Sequence, residues 1–555
     1  MKKTITVILS FLLALFNGVT IAAFSNSLLN NSATIYTCSW GWNKENFTGK
    51  KLFYTPLQKS KELAYNHSRD IAIQTQEEGT VLLKNQNSAL PLSENEMRVS
   101  VFGTGSVNIA YGGTGSGNGS DLERVSLYSA LDDNGFLVNP NLKSFYEKKY
   151  TEGYHRGLGT DMNGAFYGNK GRRNYGYSIN EVEKEAYAEV FDSFSSYNDA
   201  ALIVFSRSGG EGQDLPTSMK EFYEADDKNY LELTDEEISL LELVKEKDFK
   251  KTIVLLNTMN TFELGFLENE EYSIDAALWI GGPGQYGTLG VARILKGESS
   301  PQGRLADSYA SDLFSAPSMM NYGDNHYLDS GNMTTSCYVA YSENIYVGYR
   351  YYETRYEDSL FGINNAGDFD YDSEIVYPFG YGLGYSQFIW SEPSFSIKDE
   401  TVEVTLEVSN VGKRKGKDVV QLYCQKPYTD FDKENGIEKS AIDLLGFAKS
   451  GELAPNESEF ITIKADKRML ASYDSKVNQT YLLEKNDNYY LSVGRNCHDA
   501  LKNIVSAKKN DDAIGDSSQS YRFSVGDDCF YDTSDTGYKI TINLKLKNIH
   551  LFLMI

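Results

Sequence analysis

Ala200-Ala-Leu-Ile-Val-Phe-Ser-Arg-Ser-Gly-Gly-Glu-Gly-Gln-Asp214 is the stretch on which the reading of this chain turns. Its first six residues, Ala200–Phe205, are continuously apolar, the pattern of a strand covered on both faces rather than one. Polar residues begin where that run ends, and ligands of open α/β sheets bind at the carboxyl ends of strands. Glycines on both sides of Glu211 let its carboxylate project from a tight turn without crowding. Such a carboxylate can act as general acid/base if a partner moves its pKa toward neutrality. From the residues alone a solvated turn acid is the more ordinary reading, with Asp214 capping or pairing with Arg207.

The flanks supply the rest of an α/β domain. Downstream, Thr234-Asp-Glu-Glu237 has the form of a capping box opening a helix whose inward face is Ile238, Leu241 and Val244. Lys251–Leu256 and Ala276–Ile280 are two further buried strands. Upstream, the chain from Ser60 reads as a helix with Ile71 and Ala72 on its apolar face, running into Thr80-Val-Leu-Leu-Lys-Asn85. Arg98–Phe102 is a short strand, Leu127–Asn134 is helix-like, and Tyr146–Tyr177 is a polar insertion rich in Tyr and Gly. Strands alternating with helices predict a mainly parallel sheet covered on both faces, over residues 60–315.

Residues 316–385, rich in Tyr, Gly and Asp, lack periodicity and are expected to wrap their neighbours as a connector. The pattern then changes. Val402, Val404, Leu406 and Val408 alternate with polar residues, Asn410-Val-Gly412 makes a turn, and Val419–Tyr423, Phe460–Ile463 and Tyr489–Val493 continue as strands. Short strands punctuated by turns predict a β-sandwich over residues 386–500. Residues 501–555 are expected to be a loose tail, acidic and Ser-rich before an apolar, basic end.

Two glycine-rich loops invite a phosphate-binding reading and fail it. Gly103-Thr-Gly105 follows a strand, but Asn108 stands where the third glycine of a dinucleotide fingerprint belongs. Gly112-Gly-Thr-Gly-Ser-Gly117 lacks the lysine of a phosphate-cradling loop and offers only close backbone approach and the Thr114 and Ser116 hydroxyls.

Composition narrows the class of function. With 53 Lys+Arg against 77 Asp+Glu, the net charge is −24, a field that repels phosphate backbones and argues against nucleic acid as a partner. Five scattered Cys form no CxxC pair, and five His form no HExxH, so neither a disulfide framework, a zinc site nor a catalytic metal is expected. The 40 Tyr and 28 Phe suit stacking on sugar rings as well as ordinary half-burial. At the N-terminus, Lys2 and Lys3 precede an apolar run from Ile5 to Phe16, the order of an export signal, and Ile5–Phe24 is long enough to remain as a membrane anchor. Residues 1–24 are therefore expected to direct the chain outside the cell or hold it on the outer face of a membrane.

Several ordered motifs together resemble glycoside hydrolase family 3: Glu78-Gly-Thr-Val-Leu-Leu-Lys-Asn85, Leu90-Pro-Leu92, Gly112–Gly117, Gly210-Glu-Gly-Gln-Asp214, Ser300-Pro-Gln-Gly-Arg-Leu305, Ile345-Tyr-Val-Gly-Tyr-Arg-Tyr-Tyr352 and Tyr377-Pro-Phe-Gly-Tyr-Gly-Leu383. The sandwich resembles the family's fibronectin type III-like domain through Asn410-Val-Gly412, Val419-Val-Gln-Leu-Tyr423, Ile442-Asp-Leu-Leu-Gly-Phe447 and Leu453-Ala-Pro-Asn-Glu457. One departure is Gly384, where the family usually carries Ser.

The resemblance implies retaining hydrolysis of β-linked glycosides or oligosaccharides by two carboxyl groups about 5–5.5 Å apart. It implies no cofactor. The family's acid/base Glu lies in a Gly-Glu-Gly loop, which here is Glu211, and its GGTGSG-type loop reaches the same site, which makes Ser116 a candidate contact to the sugar or to a carboxylate. The family's nucleophile belongs to a TIM-type barrel for which no segment here is long enough. The expectation is an exported chain of reversed domain order carrying the acid/base half of a β-glucosidase-type site, its barrel following in a longer enzyme. The alternative is a non-catalytic, exported carbohydrate-binding or accessory protein.

Overall fold

In this computed structural model, strand β4 (Ala200–Arg207) is buried along all eight residues, and the layers around it explain why. The structure describes residues 58, 60–113, 123–157, 177–210, 215–220, 228–322, 325–326, 337–363, 366–509 and 514–533. Helix α1 (Lys61–Gly79) leads into β1 (Val81–Asn85) and β2 (Arg98–Phe102). Then come α2 (Leu127–Asp133), β3 (Leu137–Val138), α3 (Pro140–Thr151), β4, α4 (Asp235–Glu246), β5 (Thr252–Thr258), β6 (Ala276–Trp279) and α5 (Gly287–Lys296). The six strands form one sheet in the order β1-β6-β5-β4-β2-β3. All neighbours are parallel except β1, which runs antiparallel to β6 at the edge.

Alternate residues of the central strands feed two separate cores. Val101, Leu202, Val204, Ile253 and Leu255 pack with Leu127 and Leu131 of α2 and Val291 and Ile294 of α5. Phe102, Ile203, Phe205, Val254 and Leu256 pack with Leu142 and Phe145 of α3 and Leu240, Leu241 and Val244 of α4. Each fully buried side chain of this size stabilises by about 1.5–3 kcal/mol, so strands shielded on both sides read as unbroken apolar runs. The mainly parallel, doubly covered sheet is as expected from sequence.

The inward face of α1 differs from expectation. Ile71 is exposed and Ile73 is the buried residue. Contact with α5 runs through backbone and a polar side chain: a Cβ added at Gly290 would meet Ile73 O at 2.9 Å and one at Gly287 would meet Gln76 Oε1 at 2.6 Å, while Gln76 Nε2 donates to Ile280 O after β6 (2.9 Å). An apolar-stripe reading does not see such a face. Residues 69–555 form one unit; of residues 1–68 only 58 and 60–68 are described, where Ser60 Oγ accepts from Leu63 N (3.2 Å) at the start of α1. The expected signal at residues 1–24 lies outside the described residues. Among the described residues no helix is long and apolar enough to cross a membrane.

The connector contains a helix the sequence did not announce, α6 (Tyr349–Phe361). Its buried residues are Tyr352, Glu353 and Asp358, a polar set without aliphatic periodicity. Glu353 is satisfied by Tyr371 OH (2.5 Å), Cys497 Sγ (3.2 Å) and His498 Nδ1 (3.0 Å).

The sandwich follows. One sheet gathers β7 (Phe388–Trp390), β8 (Ser394–Lys398) and β12 (Ser458–Asp466) around β9 (Thr401–Asn410). The other has the order β11 (Asp443–Lys449), β10 (Val419–Gln425), β13 (Asn486–Gly494), β14 (Ser520–Val525). Their inward residues, Val402, Val404, Leu406, Val420, Leu422, Leu491 and Val493 among them, share one core. Helix α7 (Cys497–Ala507) and β14 carry this domain past residue 500, into the expected tail. Phe523 and Val525 anchor β14, two apolar positions that a polar surrounding composition conceals.

Domain and sandwich meet through the family-like motifs. Buried Asp418 accepts from Arg304 (3.1 Å), Arg495 (3.1 Å) and Trp390 Nε1 (2.8 Å). Tyr381 OH reaches Leu83 O (3.1 Å), and Leu383 N bonds Leu82 O (2.8 Å). The Ser300–Leu305 and Tyr377–Leu383 motifs are thus scaffolding along β1. Gly384 has ordinary space around it: an added Cβ would lie 3.4 Å from Pro301 O.

Candidate functional site at the strand ends

The chain passes from β2 outward to β3 and then returns to β4 on the other side of β2. The carboxyl ends of β2 and β4 therefore flank a topological switch point, where open sheets leave a crevice for ligands. Two turns rise there.

The turn after β2 explains its own glycines. Gly103, at φ +89°, and Gly105 lie against β4 so closely that an added Cβ would meet Val204 O at 2.5 and 2.7 Å. They are spent on strand contact, which agrees with the failed dinucleotide fingerprint. Glu181 holds this turn from beneath: it accepts from Thr104 N (2.8 Å), Thr104 Oγ1 (3.2 Å), Val182 N (2.9 Å) and Tyr187 OH (3.3 Å). Burial pushes its carboxyl up to about 7, against the pull of the two backbone amides. At 4 % exposure it supports the site rather than facing it.

Asn257, at the end of β5, ties three strand ends together. Its Oδ1 accepts from Ala110 N (2.7 Å) and Ser206 Oγ (2.7 Å), and its Nδ2 donates to Ala110 O (2.9 Å) and Gly281 O (2.7 Å). The half-buried Arg156 guanidinium adds a second clamp, donating from Nε to Asn108 O (3.3 Å) and Ser206 Oγ (3.2 Å) and from Nη1 to Gly157 O (3.2 Å) and Ser208 Oγ. Positive charge is thereby fixed at the end of β4.

At the end of β4, Arg207 is wholly buried and grips Glu237 through two bonds of 2.8 and 2.7 Å. Glu237 also closes the anticipated capping box on Thr234. Ser208 N donates to Tyr230 OH (2.7 Å), and Asn260 Nδ2 to Ser208 O (3.3 Å). Gly210 has φ +139°, a conformation that favours glycine. Past β5, Glu263 is also pushed up to about 7, by burial first and then by Glu232 and Asp312, while Asn229 Nδ2 (3.0 Å) and Leu313 N (3.2 Å) bind it.

Glu211, Asp214, Thr114 and Ser116 lie outside the described residues. The stems that lead to them are described, and they meet: a Cβ added at Gly113 would be 3.1 Å from Gly209 O and 3.8 Å from Gly210 Cα. A cavity of about 240 Å³ borders the same turn, lined by Ser106, Tyr111, Tyr128, Lys143 and Tyr150 among others. Among the described residues no three His, Cys, Asp or Glu converge to hold a metal. Sequence reading missed Arg156 and Asn257. Arg156 lies inside the segment, Tyr146–Tyr177, that reads as a polar insertion. Asn257 did carry a signal, a polar residue directly after the buried run Ile253–Leu256 at a strand's carboxyl end.

Comparison with known proteins places this geometry. The model of the glycosyl hydrolase family 3 C-terminal domain matches residues 80–385, and that of the fibronectin type III-like domain matches residues 418–497. The chain is 32 % identical over 414 residues to a beta-glucosidase of Ruminococcus albus, covering 74 % of this chain and 37 % of that one. It is 30 % identical over 457 residues to beta-glucosidase A of Butyrivibrio fibrisolvens, covering 76 % and 49 %. The structure of beta-glucosidase 3B from Thermotoga neapolitana in complex with glucose superposes with a TM-score of 0.61 at 27 % identity, over 84 % of this chain and 55 % of that one. The chain thus spans about half the length or less of these relatives. A family model matching more than half of its residues, with the sandwich domain following in order, makes the chain a member of glycosyl hydrolase family 3.

Proposed function

We propose that this chain supplies the acid/base half of a retaining β-glucosidase-type active site, with Glu211 as the acid/base and Ser116 as a contact to the sugar. The observation that carries this reading is the meeting of the Gly113 and Gly209–Gly210 stems at the β2/β4 switch point. Glu211 first protonates the glycosidic oxygen of a β-linked glycoside and afterwards takes a proton from the attacking water. The nucleophilic carboxylate comes from a barrel domain that is not among the described residues. Arg156 and Asn257 act on the stems, holding the turn so that the carboxylate returns to one position between the two steps. The chain is exported, with residues 1–24 as its signal or anchor.

The decisive assay uses an aryl β-glucoside. The chain alone shows no turnover above background, because acid/base catalysis without a nucleophile lowers the barrier little. Mixed with a separately expressed barrel from a family relative it regains turnover, which Glu211→Gln reduces by about 10²–10⁴-fold. Turnover undiminished in Glu211→Gln sinks the assignment. Recovery of the chain from the culture medium or the outer membrane face, with its N-terminus sequenced, tests export.

A further inference from the structure

A second cleft, of about 1210 Å³, opens where the connector meets the sandwich, with α6 on one wall and the segments after β10 on the other. It exceeds the ~300–1,000 Å³ usual for a single small ligand. Five acidic and six basic residues line it, close to balance in a chain of net charge −24. Most of the charged side chains are already held by protein partners, one pair of them within the lining. Glu357 on α6 accepts from Lys508 Nζ (2.6 Å) and from Gln425 Nε2 with both oxygens (3.0 Å each), and Glu438 accepts from Tyr346 OH (2.7 Å). Aromatic rings stand at the rim: Phe361 and Tyr428 are each 39 % exposed, each with an ammonium, Lys508 or Lys433, near 5.7 or 5.6 Å from the ring centroid.

Internally paired donors and acceptors do not call for a charged ligand. They suit a neutral one that both donates and accepts hydrogen bonds, and exposed rings supply flat apolar faces for it. We propose that this cleft is a secondary binding site for a neutral polysaccharide chain, whose pyranose rings stack on Phe361 and Tyr428 while hydroxyls bond the Glu357–Lys508 pair. The site holds substrate polymer near the protein and takes no part in bond cleavage. It does not depend on Glu211.

The test is affinity electrophoresis of the whole chain through native gels cast with hydroxyethylcellulose, arabinoxylan or dextran. At least one polymer retards the chain. The Phe361→Ala/Tyr428→Ala double variant weakens that retardation about tenfold in apparent affinity, on the scale of losing a buried aromatic anchor, with an unchanged melting temperature, and each single variant gives part of the loss. Glu211→Gln migrates as the parent does, which separates this site from the catalytic proposal. Parent mobility unaffected by all three polymers, or retardation that survives the double substitution, overturns it.

Discussion

Glu181, under the turn after β2, and Glu78, at the seam with the sandwich, are pushed in opposite directions by their surroundings. Glu181 is buried among amides and hydroxyls, and burial lifts its carboxyl to about 7. For Glu78 burial acts upward too, but hydrogen bonds from Lys417, Gln74 and Lys449 bring it down to about 2. One end of the domain stores an acid supported by neutral groups; the other spends an ionised acid on joining two domains. Of these two glutamates, the one beside the candidate site is a buried carboxyl with no cation against it, and the one at the seam is neutralised by lysines.

Arg207–Glu237 combines both conditions, burial as deep as that of Glu181 and pairing as close as that of Glu78. Breaking it gives the largest expected effect. Arg207→Ala leaves Glu237 buried beside nothing positive and lowers stability by about 3–5 kcal/mol in urea unfolding at pH 7. Arg207→Met with Glu237→Leu loses less than Arg207→Ala alone, because no orphaned charge remains. Equal losses in the two variants would show that the pair contributes packing rather than charge.

The next effect belongs to Glu181 and has a definite sign. Its folded pKa lies above the unfolded value of 4.5, so the unfolded chain gives up this proton first as pH rises. Its contribution to stability is complete below pH 4.5 and declines through pH 7, by about 3 kcal/mol in all. Between pH 5 and 8 the parent's unfolding free energy falls by more than that of Glu181→Gln, which cannot ionise there. Parallel pH profiles for the two would remove Glu181 from the account.

How much of this the sequence disclosed follows from where the information lies. Runs such as Ala200–Phe205, Ile253–Leu256 and the alternation Val402–Val408 are local, and each named its strand and its degree of burial. The Thr234–Glu237 box is equally local. Helix α6 was hidden because its inward face is Tyr352, Glu353 and Asp358, residues that read as solvent-facing until Tyr371 and His498 arrive from elsewhere in the chain. Arg156 was hidden for the same reason: its partners Asn108, Ser206 and Ser208 are about fifty residues away on either side. Glu211 was legible only through the glycines around it and the family they resemble.

The smallest effect, at Glu78, sharpens the comparison most. Its side chain is 29 % exposed, so water screens the pull of Lys417 at 2.9 Å and Lys449 at 3.2 Å. A pair of this kind contributes about 0.2–1 kcal/mol, whatever the size of the downward shift. Because the folded pKa is depressed, this stabilisation is present above pH 4.5 and is lost as pH falls through about 2. Glu78→Gln therefore costs under about 1 kcal/mol at pH 7, and the cost shrinks in 1 M salt, where charges more than about 3 Å apart are screened. Glu181→Gln should respond to the same salt hardly at all, since its carboxyl has no cation to lose. A salt response of equal size at both positions would mean that burial, the property held to separate the two glutamates, does not separate them.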